Sequence, residues 1–230
     1  TARRAAKKGY KVAINYRTRD AQAMGVAADI AAQDGEAIAV PGDMANEADI
    51  VRMFKETEKA FGPVTHLVTS AGISRQMRVD EYDVKLLTQL FATNVTGLML
   101  CCREAVKRMS TKHGGKGGAI VNVSSMAATL GGRQGSSAYA ATKGAVDSFT
   151  KGFAREVAAE GIRVNSISTG AIRDGAARAS DDSRVRVTPS RRTGTPLDVA
   201  RVVLFLASEL SSYVNGANIV VDGGRTAITP

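Results

Sequence analysis

Six short runs of apolar and β-branched residues recur along the chain, at 11–16, 37–40, 66–69, 119–123, 163–167 and 218–221. Each ends on small or polar residues and gives way to a stretch with helical spacing of apolar positions, at 20–33, 47–61, 84–110, 138–159 and 197–209. The runs are apolar at consecutive positions, which fits strands covered on both faces. Alternating with helices, they predict a doubly wound parallel sheet, an α/β (Rossmann-like) fold. Gly62 with Pro63, and Gly161, stop helices, while Thr195 followed by Pro196 forms a cap with proline at the first helical position. No linker or internal repeat interrupts the rhythm, so residues 1–230 read as one domain. The stretch 171–196, rich in Arg, Asp and Ser, has no clear apolar period and reads as a substrate-side loop or lid, or as a plain surface excursion.

Composition agrees with a packed fold: of 230 residues 44% are hydrophobic, 23% are charged and only 5 are proline. The longest apolar runs, 202–207 and 97–102, fall far short of the roughly 20 residues a bilayer span needs, so no membrane partner is expected. The first eleven residues are basic without the apolar centre of a secretory signal, which favours a cytoplasmic address. Cys101 and Cys102 are adjacent, a spacing that suits neither a disulfide nor a metal knuckle, and read as buried small hydrophobes. His66 and His113 match no metal spacing, and no metal is expected. The net charge of +9 is densest over 103–116, which could attract an anionic partner or be a solvated helix face. No zinc finger, RNA-binding signature or aromatic-rich basic strand supports nucleic acid.

In a doubly wound sheet the ligand lies beyond the carboxyl ends of the strands. Those positions hold Arg17, then Asp43, then Ser70, Ala71 and Gly72, then Ser124 and Ser125, then Thr169 and Gly170. Small residues admit a ligand close to the backbone, and the Ser and Asp side chains supply directional hydrogen bonds. The sharpest local pattern is Tyr139-Ala-Ala-Thr-Lys143, whose phenol and ammonium share one helix face a turn apart. A tyrosine must lose roughly 3 pKa units, about 4 kcal/mol, to exchange protons near neutrality, and an adjacent cation supplies part of that. Alone the spacing is common. Around it, Ala138, Ala140, Ala141, Gly144 and Ala145 make a helix thin enough to approach another backbone, and Ser125 lies just upstream.

With Tyr139 and Lys143, Ser125 upstream, Asn94 in Asn94-Val-Thr-Gly97 and the tail from Val214 to Gly224, the chain resembles the classical short-chain dehydrogenase/reductase family, including its 3-oxoacyl-carrier-protein reductase and glucose-dehydrogenase-like members. The resemblance implies a nicotinamide-dependent oxidoreductase interconverting a ketone and a secondary alcohol, assembled as a homotetramer. A non-catalytic protein of the same fold, acting as a nucleotide sensor or as a subunit of an assembly, is the other possibility. It implies that Tyr139 is the acid in reduction and the base in the reverse direction, and that Lys143 holds the nicotinamide ribose and depresses the tyrosine pKa. Ser125 would donate to the substrate oxygen, and Asn94 would hold a water linking Lys143 to solvent. Asp43 matches the residue that meets the adenine, Ala71 and Gly72 match the end of an Asn-Asn-Ala-Gly segment, and Gly170 and Ile172 are further cofactor-binding candidates. Tyr16 followed by Arg17 stands where an acidic residue would select NAD(H), so NADP(H) is favoured with NAD(H) possible. An acyl carrier protein is a possible partner.

The departures also carry expectations. The family's first strand and glycine-rich phosphate turn are missing from the sequence, and that strand would lie between those at 11–16 and 66–69. Roughly 15 to 25 further residues upstream are expected on that ground. Thr69-Ser70 replaces two asparagines, Thr169-Gly170 replaces Pro-Gly, and Asp174 stands where a threonine often meets the nicotinamide amide. The span from Ser125 to Tyr139 is one residue longer than the commonest spacing.

Overall fold

The computed structural model describes residues 1–173 and 183–227. The chain begins with α1 (Ala2–Ala6), β1 (Val12–Tyr16), α2 (Asp20–Ala31), β2 (Ala37–Pro41), α3 (Glu47–Phe61) and β3 (His66–Thr69). It continues through α4 (Val84–Phe91), α5 (Gly97–Met109), β4 (Gly118–Ser125), α6 (Ala127–Leu130) and α7 (Ser137–Val157). Last come β5 (Ile162–Thr169), α8 (Ser183–Arg186), α9 (Pro196–Ala207) and β6 (Asn218–Val221). All strand pairings are parallel, in two pieces with orders β1-β2 and β3-β4-β5-β6.

The central strands alternate between two apolar layers. On one face Ile120, Ile162 and Val164 pack with Phe54 of α3, Cys102 and Met109 of α5, and Val146 and Phe153 of α7. On the other, Val121 and Ile167 pack with Val203 and Leu206 of α9. Strands buried on both faces need apolar side chains at successive positions, which is why the runs do not alternate. Cys101 and Cys102 are free and buried in the first layer, and burial pushes the Cys101 thiol up to about 12. Both cysteines therefore act as packing groups. Helix starts follow local chemistry: Asn46 accepts from the Asp49 N–H at 3.2 Å to cap α3, and Thr195 and Asp198 cap each other at α9.

Many element limits differ from the reading of the sequence by one or two residues. β4 and β5 run two residues further than the apolar pattern, to Ser125 and Thr169, because the parallel ladder needs only backbone groups and continues through Ser124↔Ser168 and Ser125↔Thr169. The helical stretch 84–110 is one rod interrupted by a π turn at Ala92–Thr96. By length and composition alone Val84–Met109 could cross a bilayer. Here Leu98, Cys101, Cys102, Ala105 and Met109 are buried in the core, and its last turns carry Arg103, Glu104, Lys107 and Arg108 in ion pairs.

β1 pairs with β2 and β3 with β4, leaving the edges of β1 and β3 that face one another without a strand partner among the described residues. Between them runs a trough of about 800 Å³, lined among others by Val12, Ile14, Phe54, Leu67, Val68 and Thr69. The stretch 171–196 is pinned at its base, where Ile172 bridges Gly194 and the Arg173 N–H donates to the Gly194 carbonyl at 2.9 Å. Residues 174–182, and Asp174 with them, lie outside the described residues.

Candidate active site

Ser125 ends β4 and is joined to α7 by the short helix α6 and a turn in which Gly131, Gly132 and Gly135 all take positive φ. Tyr139 lies in the first turn of α7 and Lys143 one turn later, with Nζ 5.9 Å from the centre of the Tyr139 ring. Ser125 lies beside the Tyr139 phenol, whose upward pKa shift it opposes, and its hydroxyl accepts from the Ala127 N–H at 3.2 Å. The serine is therefore both a local cap and a neighbour of the tyrosine.

Lys143 is almost fully buried and donates from Nζ to the Val123 carbonyl at 2.8 Å, while Ser124 Oγ donates to the Lys143 carbonyl at 3.2 Å. Burial pulls its pKa down to about 8 and the Asp147 carboxylate acts in the opposite direction. Asp147 lies one further turn along α7, where it accepts from Ser166 Oγ at 3.4 Å, and burial raises its pKa. The phenol of Tyr139 is raised by burial, with Ser125 opposing. The lysine alone thus leaves the tyrosine a weaker acid than in water, so an acidic phenol requires further positive charge at the site.

Asn94 sits in the π turn, buried. Its Oδ1 accepts from the Ile73 N–H at 2.8 Å, and its Nδ2 donates to the Ile73 carbonyl at 2.9 Å and to Thr142 Oγ1 at 3.1 Å. The amide clamps the segment after β3 onto α7. A Cβ at Gly72 would stand 3.3 Å from Asn94 Oδ1 and 3.8 Å from Lys143 Nζ, so the bare glycine keeps space open between those polar atoms. Gly97 is required for another reason: a Cβ there would lie 1.9 Å from the Met44 carbonyl oxygen, fixing α5 against the loop after β2.

Arg17 and Asp43 meet at 3.5 Å across the ends of β1 and β2, both partly exposed. Asp43 Oδ1 also accepts from the Ala45 N–H at 2.9 Å. Ala71 and Gly72 are exposed beyond β3. Gly170 packs against the chain after β6, where a Cβ would come within 2.6 Å of Asp222 Cα, so its smallness serves packing there. Arg17 and Asp43 thus follow β1 and β2, Ala71 and Gly72 follow β3, Ser125 ends β4 and Gly170 follows β5. Ile73, Thr142 and Asp147 were not singled out; for Asp147 the signal was its place four residues after Lys143, while the Ile73 contact is made by backbone and has no sequence mark.

The basic stretch 103–116 is largely neutralised from within. Arg103 pairs with Glu47 and Glu104, Lys107 with Glu104, Arg108 with Glu58 and Glu104, and Lys112 with Glu160. Among the described residues no cluster of His, Cys, Asp and Glu could hold a metal ion.

A family model described as enoyl-(acyl carrier protein) reductase matches residues 1–226. The oxidoreductase YgfF of Escherichia coli K12 is 42% identical over 231 residues, covering 98% of this chain and 94% of that protein. The 3-oxoacyl-[acyl-carrier-protein] reductase of Mus musculus is 38% identical over 220 residues, covering 95% and 89%. A short-chain dehydrogenase of Burkholderia cenocepacia solved in complex with NADP superposes with a TM-score of 0.89 at 30% identity, covering 98% and 91%. A short-chain type dehydrogenase/reductase of Mycobacterium marinum gives 0.91 at 32%, covering 99% and 89%. The chain belongs to the short-chain dehydrogenase/reductase family. It is an NAD(P)-dependent oxidoreductase acting on CH–OH groups.

Proposed function

We propose that the protein reduces a ketone to a secondary alcohol with NADPH and runs the reverse oxidation when concentrations favour it. The observation that carries the reading is the convergence of Ser125, Tyr139 and Lys143 at the carboxyl end of β4, beside the space kept open by Gly72. A bound nicotinamide supplies or accepts the hydride. The Tyr139 hydroxyl gives its proton to the carbonyl oxygen, and Ser125 donates a hydrogen bond to the same oxygen as charge develops there. Lys143, with donors beyond the one spent on Val123, holds the ribose beside Tyr139. Asn94 keeps the segment after β3 in register with α7 and, with Gly72, leaves room for a water near Lys143.

Arg17 would hold a 2′-phosphate, its guanidinium being exposed next to Asp43, which would meet the adenine. Ala71, Gly170 and Ile172 would line the dinucleotide along the strand ends. A carboxylate already sits 3.5 Å from Arg17, so the preference for NADP(H) over NAD(H) depends on the phosphate competing with Asp43. Relatives named 3-oxoacyl reductases favour an acyl ketone as the substrate class. The internally paired charges of 103–116 give an acyl carrier protein little to dock on there.

We also propose a homotetramer, supported by apolar side chains that α4 and α5 leave exposed, Val84, Phe91 and Met99. A further parallel strand with a glycine-rich turn would fit the trough between β1 and β3 and bring backbone N–H groups to the phosphates. Oxidation of NADPH on addition of a panel of ketones, abolished in Tyr139→Phe and tenfold or more slower with NADH (about 1.4 kcal/mol), tests the reading. A Tyr139→Phe protein with undiminished turnover would overturn it.

A further inference from the structure

We propose that Tyr82 is a positioning residue for Tyr139: its hydroxyl, reaching from the segment between β3 and α4, closes the open N-terminus of α7 and fixes the turn that carries the proton donor. The inference rests on Tyr139 having the role just given. α7 starts without a cap of its own, because its N-cap residue Ser136 makes no side-chain hydrogen bond to the first turn. The leading N–H groups of a helix have no partner within it and need an oxygen from elsewhere. The Ala138 N–H donates to Tyr82 Oη at 3.1 Å, and the same Oη lies 2.6 Å from Ser137 Oγ. Two residues of the first turn are thus tied to one phenol, 55 positions upstream, and Tyr139 is the next residue.

The segment that carries Tyr82 is itself held rigidly enough to serve as a reference. At its start Ile73 is clamped by Asn94 through two hydrogen bonds. In its middle the Met77 N–H donates to the Gly135 carbonyl at 2.8 Å. Gly135, at φ +75°, has no Cβ, which would stand 3.2 Å from the Met77 nitrogen. At its end the Arg78 N–H donates to the Glu81 carboxylate at 3.2 Å, and Asp83, the neighbour of Tyr82, caps α4 by accepting from the Leu86 N–H at 2.6 Å. Tyr82 therefore presents its hydroxyl from between two closed turns.

The second turn of α7 has separate supports. Lys143 is held by Val123 through Nζ and by Ser124 through its carbonyl. Removing the Tyr82 oxygen loosens the turn with Tyr139 and its alignment to Ser125, while leaving Lys143 in place. Proton donation should suffer and dinucleotide binding should not.

Tyr82→Phe keeps the ring and deletes the oxygen. An N-terminal cap is worth about 1 kcal/mol, so kcat should fall about fivefold with a larger solvent deuterium isotope effect. The Kd for NADPH, read by fluorescence titration, should not change. Amide exchange over residues 137–141, followed by mass spectrometry, should quicken by a similar factor while β4 and β5 keep wild-type rates. Ser137→Ala, which removes the second partner, should move kcat and exchange the same way by less, and serves if Tyr82→Phe does not fold. Wild-type kcat and exchange in both variants would overturn the proposal. So would weakened NADPH binding with faster exchange throughout, which marks a structural role alone. An inactive wild type would sink the site reading instead, and the exchange comparison would still decide whether Tyr82 caps α7.

Discussion

Lys143 carries charge where charge is unfavourable. In the folded chain its pKa falls to about 8 through burial, against 10.5 for a free side chain. Between those values the unfolded chain keeps a proton that the folded one has released, so stability rises with pH across that window. Below pH 8 both states hold the proton and the folded state bears the whole penalty, about 3 kcal/mol. Lys143→Met removes it, less about 1 kcal/mol for the Val123 carbonyl left without a donor, so the melting temperature at pH 7 should rise by about 5 °C as turnover disappears. Calorimetry reading an unchanged or lower Tm would contradict this. Tyr139 has the opposite sensitivity: Ser125 is the group that opposes its upward shift, so Ser125→Ala should push the phenol higher still. The base-dependent limb of alcohol oxidation should then move to higher pH, which a pH–rate profile in the oxidative direction checks. Both residues were legible because their partnership lies in local spacing, i and i+4 on one helix. Tyr82 was not, since its only mark is a contact with residues more than fifty positions away.

Elements were legible where apolar period and helix punctuation agreed, as for α3, whose limits Glu47–Phe61 coincide with the pattern between Asn46 and Gly62. The rod over 84–110 shows what periodicity misses. A π turn adds one residue per turn without breaking the helix, so the apolar stripe shifts by a step and still reads as one amphipathic run. That shift aims Asn94 at Ile73 and Thr142. Immediately after it, Gly97 lets α5 touch the backbone of the loop bearing Asp43. Gly97→Ala would place a carbon 1.9 Å from the Met44 oxygen, and rigid backbone cannot yield cheaply. The substitution should lower stability by about 2 kcal/mol, a fall in Tm of about 5 °C, and raise the Kd for the dinucleotide by displacing Asp43. Thermal melts with a titration of NADPH test both parts, and a variant with wild-type Tm would show that the contact yields.

At the scale of the molecule, parallel pairing followed from the alternation of strands and helices, but the strand orders β1-β2 and β3-β4-β5-β6 did not, and the gap between β1 and β3 was expected only through the family resemblance, because it is formed by what lies between two edges. Edges without partners beside an apolar channel of about 800 Å³ are adhesive. An extended segment laid there would satisfy both edges, cover Val12, Ile14 and Leu67, and, if parallel, end beside Arg17, Ala71 and Gly72. The 230-residue chain should therefore bind a hydrophobic dye such as anilinonaphthalene sulfonate, and Ile14→Lys should reduce that binding. Extending the chain upstream with a strand of about six β-branched and apolar residues and a glycine-rich turn should abolish dye binding, raise the Tm and tighten NADPH binding together. All three readouts must move, since an extension that merely hung free would leave the dye bound and stay open to protease. Dye binding that persists in the extended, protease-resistant protein would mean that the trough is not where a strand belongs.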